Sequence, residues 1–221
     1  MKSPILLGTA ALVLSVATPA FAHRVDEYLQ AATISVEKDR VALQLRLQPG
    51  TEVFSKVLAL IDTDRGGTVT EAELRAYAER VAKDLSLSVD GTRLPLRLVS
   101  SRMEALEALQ DGRGTIELSF DAAVARGGGD RTLVFENHHQ RAMAEYLVNA
   151  LVPRDPGIRL GAQQRSYDQS VYRLGYAQAG VATGPPTISR STGIFGWLAA
   201  GALLLVARFA TARQRAGAAV R

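Results

Sequence analysis

The chain has 221 residues, 47% hydrophobic and 22% charged, with a formal net charge of +4 and no cysteine. Disulfides, zinc ribbons and thiol catalysis are excluded, so an exported domain of this chain must be held together by burial. The positive balance sits at the ends, on Lys2 and on Arg208, Arg213, Arg215 and Arg221; the stretch between is close to neutral, which argues against the basic face of a nucleic-acid-binding domain.

Residues 1–22 read as a secretory signal peptide. Lys2 supplies the positive start, Ile5–Val16 is apolar but too short to span a bilayer, and Ala20-Phe21-Ala22 is a cleavage site of the small-x-small kind. The alternative is a short first membrane helix. Cleavage after Ala22 would make His23 the first mature residue, opening an extracytoplasmic β-rich domain over residues 23–183.

The pattern then turns to period 2. Ala32–Val36 and Val41–Leu47 alternate around Glu37–Arg40 and predict a hairpin. Leu85–Val89 and Leu94–Leu98 flank Asp90-Gly91, a type I′ turn signal, and Pro95 places the second of these strands at a sheet edge. Thr115–Phe120 and Thr132–Phe135 follow, separated by the loop Arg126–Asp130, with weaker strand patterns at Ile158–Gln164 and Ser170–Tyr176. Gln140–Leu151 reads as a short helix or as a loop leading into a strand. Many short strands with regular turns predict a mainly β fold, an antiparallel β-sandwich-like domain.

One insertion breaks the alternation. Glu52–Ile61 and Thr70–Leu85 both read as helix, and in the second Leu74, Tyr77, Ala78 and Val81 recur at spacings of three and four to form one apolar face. Between them lies Asp62-Thr63-Asp64-Arg65-Gly66-Gly67-Thr68-Val69-Thr70-Glu71-Ala72-Glu73. Acids at positions 1, 3 and 12 with glycine at position 6 resemble the EF-hand calcium loop, and the helix–loop–helix would span residues 52–84. Ca²⁺ takes six to eight oxygens. The resemblance implies carboxylate ligands from Asp62, Asp64 and a bidentate Glu73, the backbone carbonyl of Thr68, and Thr70 directly or through water. Gly67 would take the positive φ of the turn. Gly66 stands at position 5, where water must replace the missing side-chain oxygen. Val69 would send its side chain to the core from a short strand. With three carboxylates and no second loop, the expected affinity is weak, with Kd about 10⁻⁴–10⁻³ M. The competing reading is a solvated acidic loop in which Thr70 and Glu73 form only a capping box.

The histidines are His23, His138 and His139. An amino-terminal His23 would offer amine and imidazole together, a chelate suited to Cu(II) or Ni(II), with Asp26 and Glu27 as possible oxygen donors. This is similar to the amino-terminal histidine of copper-carrying periplasmic β-sandwich proteins. His138 and His139, as neighbours at a strand end, would face opposite ways, so one at most would meet His23. Surface or turn histidines with satisfied hydrogen bonds are the plainer reading. His23–Gln30 (HRVDEYLQ) and Asn149–Pro153 (NALVP) resemble the exported part of membrane proteins related to the hydrogenase–urease accessory, nickel permease-like family. The multi-helix permease part is missing from this chain.

Residues 184–192, with Gly184-Pro185-Pro186, read as a linker. Residues 193–210 (GIFGWLAAGALLLVARFA) form an apolar stretch near the lower length limit for a spanning helix, with Trp197 toward one interface and Arg208 able to snorkel. The basic residues that follow suit a cytoplasmic tail at 211–221 under the positive-inside rule. A buried core helix is the alternative for this stretch. The resulting expectation is a single-pass protein of the cytoplasmic membrane with its main domain outside. No nucleophile elbow, P-loop or dinucleotide fingerprint is present in the sequence, so a non-catalytic module with Ca²⁺ as its cofactor is expected. The second reading is an accessory protein that handles Cu or Ni through His23. Tyr167, Tyr172 and Tyr176 with Arg165 and Arg173 are read as half-buried strand residues rather than as a sugar- or peptide-binding face.

Overall fold

The computed structural model describes residues 26–180. The expected signal peptide, His23, the linker, the apolar span 193–210 and the tail lie outside the described residues. Among the described residues no helix is long and apolar enough to cross a membrane.

Strict alternation builds the first hairpin. β1 (Tyr28–Val36) and β2 (Arg40–Pro49) pair antiparallel from Tyr28↔Pro49 to Val36↔Val41, and every second residue of β1 is buried. Helices α1 (Phe54–Ile61) and α2 (Glu71–Lys83) follow, and α2 buries Leu74, Tyr77, Ala78 and Val81, the face its spacing predicts. Then come β3 (Leu85–Val89), β4 (Thr92–Arg93), β5 (Arg97–Met103), α3 (Leu106–Gln110), β6 (Ile116–Ala123), β7 (Gly129–Asn137), β8 (Ala144–Ala150), β9 (Ile158–Arg165) and β10 (Val171–Gln178). They form two five-stranded sheets, ordered β5-β6-β2-β1-β8 and β4-β3-β7-β10-β9. Inward residues of both sheets and the buried faces of the helices share one hydrophobic core, with Leu43, Leu45, Phe120, Leu133, Phe135 and Tyr172 each at most 1% exposed.

The structure corrects two of these expectations, settles one pair of alternatives and adds one element. The first sheet is mixed rather than antiparallel, because β8 pairs parallel to β1 from Tyr28↔Ala144 to Ile34↔Ala150. No hairpin links these strands. Residues 37–143 lie between them, so local turn geometry does not dictate their direction. Of the two alternatives for Gln140–Leu151, the loop leading into a strand is the one that forms, with Gln140 at φ 51. The strand expected at Leu94–Leu98 does not form as one unit. Asp90 (φ 52) and Gly91 (φ 78) make the type I′ turn, but pairing with β3 stops at Arg93. Pro95 has no N–H to donate, and the chain crosses to the other sheet as β5, paired with β6. Finally, the short helix α3 was not foreseen; it is a single turn or so, too brief for a periodic signal.

On one flank α2 packs against β3 and the edge strand β5. On the other, Arg165 of β9 donates from Nε to the carbonyl of Val148 in β8 at 2.9 Å, while its guanidinium stacks 4.9 Å from the Tyr172 ring. This ties the two sheets together and blocks part of the β8 edge. Tyr172 and Tyr176 are core residues, 0% and 3% exposed, and Tyr167 sits alone in a turn. Strand directions sort the loops into two ends. The β1–β2 turn, residues 124–128, residues 151–157 and the end of β10 share one end, where Gln178 Nε2 donates to the Lys38 carbonyl across the sheets. Gly50, residues 138–143 and the β9–β10 turn share the other.

Candidate metal centre

Asp62 is the C-terminal cap of α1, and Thr70 is the N-cap of α2. The intervening turn is tight: Arg65 has φ 59 and Gly67 φ 78, the latter at the position where the sequence requires a glycine. Asp62, Asp64 and Glu73 each present a carboxylate oxygen, and these atoms all lie within 4.8 Å of one another. Asp62 is buried, Glu73 half-buried and Asp64 exposed.

The loop backbone points its N–H groups at these acids. Gly66 N–H donates to Asp62 Oδ1 (2.9 Å) and Asp64 Oδ1 (2.8 Å), and Gly67 N–H to Asp62 Oδ2 (3.0 Å). Glu73 bridges the loop: Oε1 accepts from Thr63 N–H at 2.8 Å, and Oε2 from Thr70 N–H at 3.0 Å and from the Thr70 hydroxyl at 2.9 Å. The bonds from Thr70, then those from Thr63 and Asp64, pull the Glu73 carboxyl down to about 2, so it is a full anion at any ordinary pH. None of the three acids has an ion-pair partner among the described residues. Like charges held this close repel one another, and a bound cation would relieve that repulsion.

The other proposed ligands are placed less directly. The Thr70 hydroxyl completes the capping box by accepting from Glu73 N–H at 3.2 Å, so capping and acid clustering coexist here. Thr68 and Gly66 are exposed. Val69 packs its side chain against the core as expected, yet it forms no strand. With no second loop to pair with, its backbone has no partner to make one.

The two described histidines face apart. His138 lies partly exposed between Glu136 (3.0 Å) and Arg141. His139 is 2% exposed, and both its ring nitrogens are engaged: Nδ1 lies 2.7 Å from Asp84 Oδ2 and Nε2 lies 3.0 Å from the Tyr77 hydroxyl. Tyr77 in turn meets the Tyr28 hydroxyl at 2.7 Å. Around the same turn, Gln30 Nε2 and Tyr146 OH donate to the His139 carbonyl, Asn137 Nδ2 donates to Gln30 Oε1, and His139 N–H donates to Asn137 Oδ1. This buried network was missed in the sequence. Its visible signs are Gln30 and Asn137, polar residues in the inward phases of β1 and β7.

The geometry fits a neutral His139, with Nδ1–H donating to Asp84 and Nε2 accepting from Tyr77, whose oxygen accepts from Tyr28. Protonation would reverse the Tyr77 and Tyr28 hydroxyls and leave the Tyr28 proton without an acceptor among the described residues. Burial, with Arg80 acting in the same direction, lowers the His139 pKa from 6.5, and Asp84 opposes them. The unfolded chain therefore binds the proton first, and stability falls as pH drops below 6.5 toward the folded-state value. Thermal melts across that range should show the loss in the native chain and a flatter profile in His139→Gln. Equal slopes would remove His139 as the cause.

No protein-family model, curated protein or solved structure matches the chain.

Proposed function

We propose that this chain is a calcium-binding, non-catalytic module, exported and held at the outer face of the cytoplasmic membrane by residues 193–210. The observation that carries the calcium reading is the meeting of Asp62, Asp64 and Glu73 within 4.8 Å, with no ion-pair partner for them among the described residues. The donor set is oxygen only, which suits a hard cation. The short and partly exposed loop suits the flexible shell of Ca²⁺ better than the rigid octahedron of Mg²⁺. Ca²⁺ at this site would tie the end of α1 to the first turn of α2. Its role is then to hold the helix pair against the sheets, since a ligand that binds only the folded state stabilises that state.

The test is calorimetric titration of the full-length chain in detergent micelles with Ca²⁺ and then Mg²⁺, alongside melting curves. The expected result is saturable calcium binding with Kd about 10⁻⁴–10⁻³ M, a raised melting temperature, and a weaker response to Mg²⁺. No heat and no rise in melting temperature at millimolar calcium would reject the assignment.

A further inference from the structure

We propose that the end of the domain bearing Leu151 and Val152 is a lipid-contacting surface, an inference that rests on the reading of residues 193–210 as a membrane span. Val152 is 86% exposed and Leu151 52%, two adjacent large apolar side chains in water. They are held in place rather than left to move. Leu151 N–H donates to the Ile34 carbonyl (2.8 Å), Pro153 follows, and the remainder of the loop is closed by Gly157 N–H to Asp155 Oδ1 (2.8 Å) and by the Lys38–Asp155 ion pair (3.1 Å). Ordering two apolar side chains outward in a fixed loop calls for an apolar partner.

The course of the chain says which partner. Ala179 N–H donates to the carbonyl of Gly157 in this same loop at 2.7 Å, so the chain leaves the domain at the end that bears Leu151 and Val152. Residues 181–192 then lead to the apolar stretch. Twelve residues reach at most about 40 Å fully extended, so a span at 193–210 would keep the bilayer within that reach of this end. Two apolar side chains would not recruit a soluble protein to lipid, but tethering makes the contact intramolecular and raises its effective concentration. Lys38 pairs with Asp155 and Arg126 with Asp39, while Arg154, exposed two residues from Val152, has no ion-pair partner among the described residues. The contact is thus apolar at Leu151 and Val152, with one cation beside it.

The chain has no cysteine, so single labelling sites can be introduced directly. Full-length V152C and Y167C chains, each carrying an environment-sensitive fluorophore, would be reconstituted in phosphatidylcholine vesicles containing nitroxide-labelled lipid. Tyr167 is fully exposed in the β9–β10 turn, about 26 Å away along the eight residues of β9. Quenching severalfold stronger at 152 than at 167 is expected. Equal quenching, or stronger quenching at 167, overturns the proposal. Vesicle flotation separates the two layers of the inference. A chain that does not float overturns the span reading and this one with it. A chain that floats with an unquenched label at 152 overturns the lipid contact alone.

Discussion

Replacing Tyr77 with alanine is expected to lower the unfolding free energy by about 3–5 kcal/mol. The ring is 1% exposed, fills the contact between α2 and the core, and lies edge-on to His139 at 5.7 Å. Its hydroxyl joins Tyr28 to His139, so truncation opens a cavity and also leaves two buried polar groups with one partner fewer. Tyr77→Phe separates these effects. It keeps the ring and loses only the hydroxyl bonds, which places it at about 1–3 kcal/mol. Urea unfolding of the native chain and both variants checks the order. Equal midpoints for the native chain and Tyr77→Ala would show that α2 does not depend on this anchor.

Glu73→Gln is expected to weaken calcium binding by at least about tenfold while the strands stay folded. Glutamine can still occupy this position of a capping box, so the start of α2 persists. What disappears is the charge and the bidentate carboxylate. Glu71→Gln is the matched control. Glu71 lies two residues earlier, is exposed, and is not part of the acidic cluster, so its loss should leave the titration unchanged. An unaltered calcium isotherm in Glu73→Gln would remove Glu73 from the site. The apo loop also carries its own pH dependence. The Glu73 carboxyl is held down from 4.5 to about 2, so its contribution to folding is complete above 4.5 and is lost as pH falls toward 2.

Both expected results turn on α2, which carries Glu73 in its first turn and Tyr77 one turn later. Its last turn leads into Asp84, the carboxylate partner of His139, while Arg80 donates to the Leu60 carbonyl of α1. A change at the loop would therefore be felt first at the docking face of this helix.

Local chemistry was legible from the sequence because each such feature depends on residues close in the chain. The alternation of β1 and β2 sets their buried faces, the spacing from Leu74 to Val81 sets the face of α2, and Asp90-Gly91 demands a turn with two positive φ values. The eleven-residue separation of Asp62 and Glu73, bridged by a glycine turn, brings their carboxylates together without help from distant segments. Long-range pairing was decided only by the tertiary structure. Nothing near β8 specifies that it runs parallel to β1, and nothing near Pro95 says which sheet the chain joins next. His139 offered no local sign that it is buried between Tyr77 and Asp84, because its partners lie 62 and 55 residues away and meet it only when α2 docks on the sheets. Period and spacing act through neighbours along the chain, whereas strand direction and buried polar networks are set by which surfaces the whole core brings together.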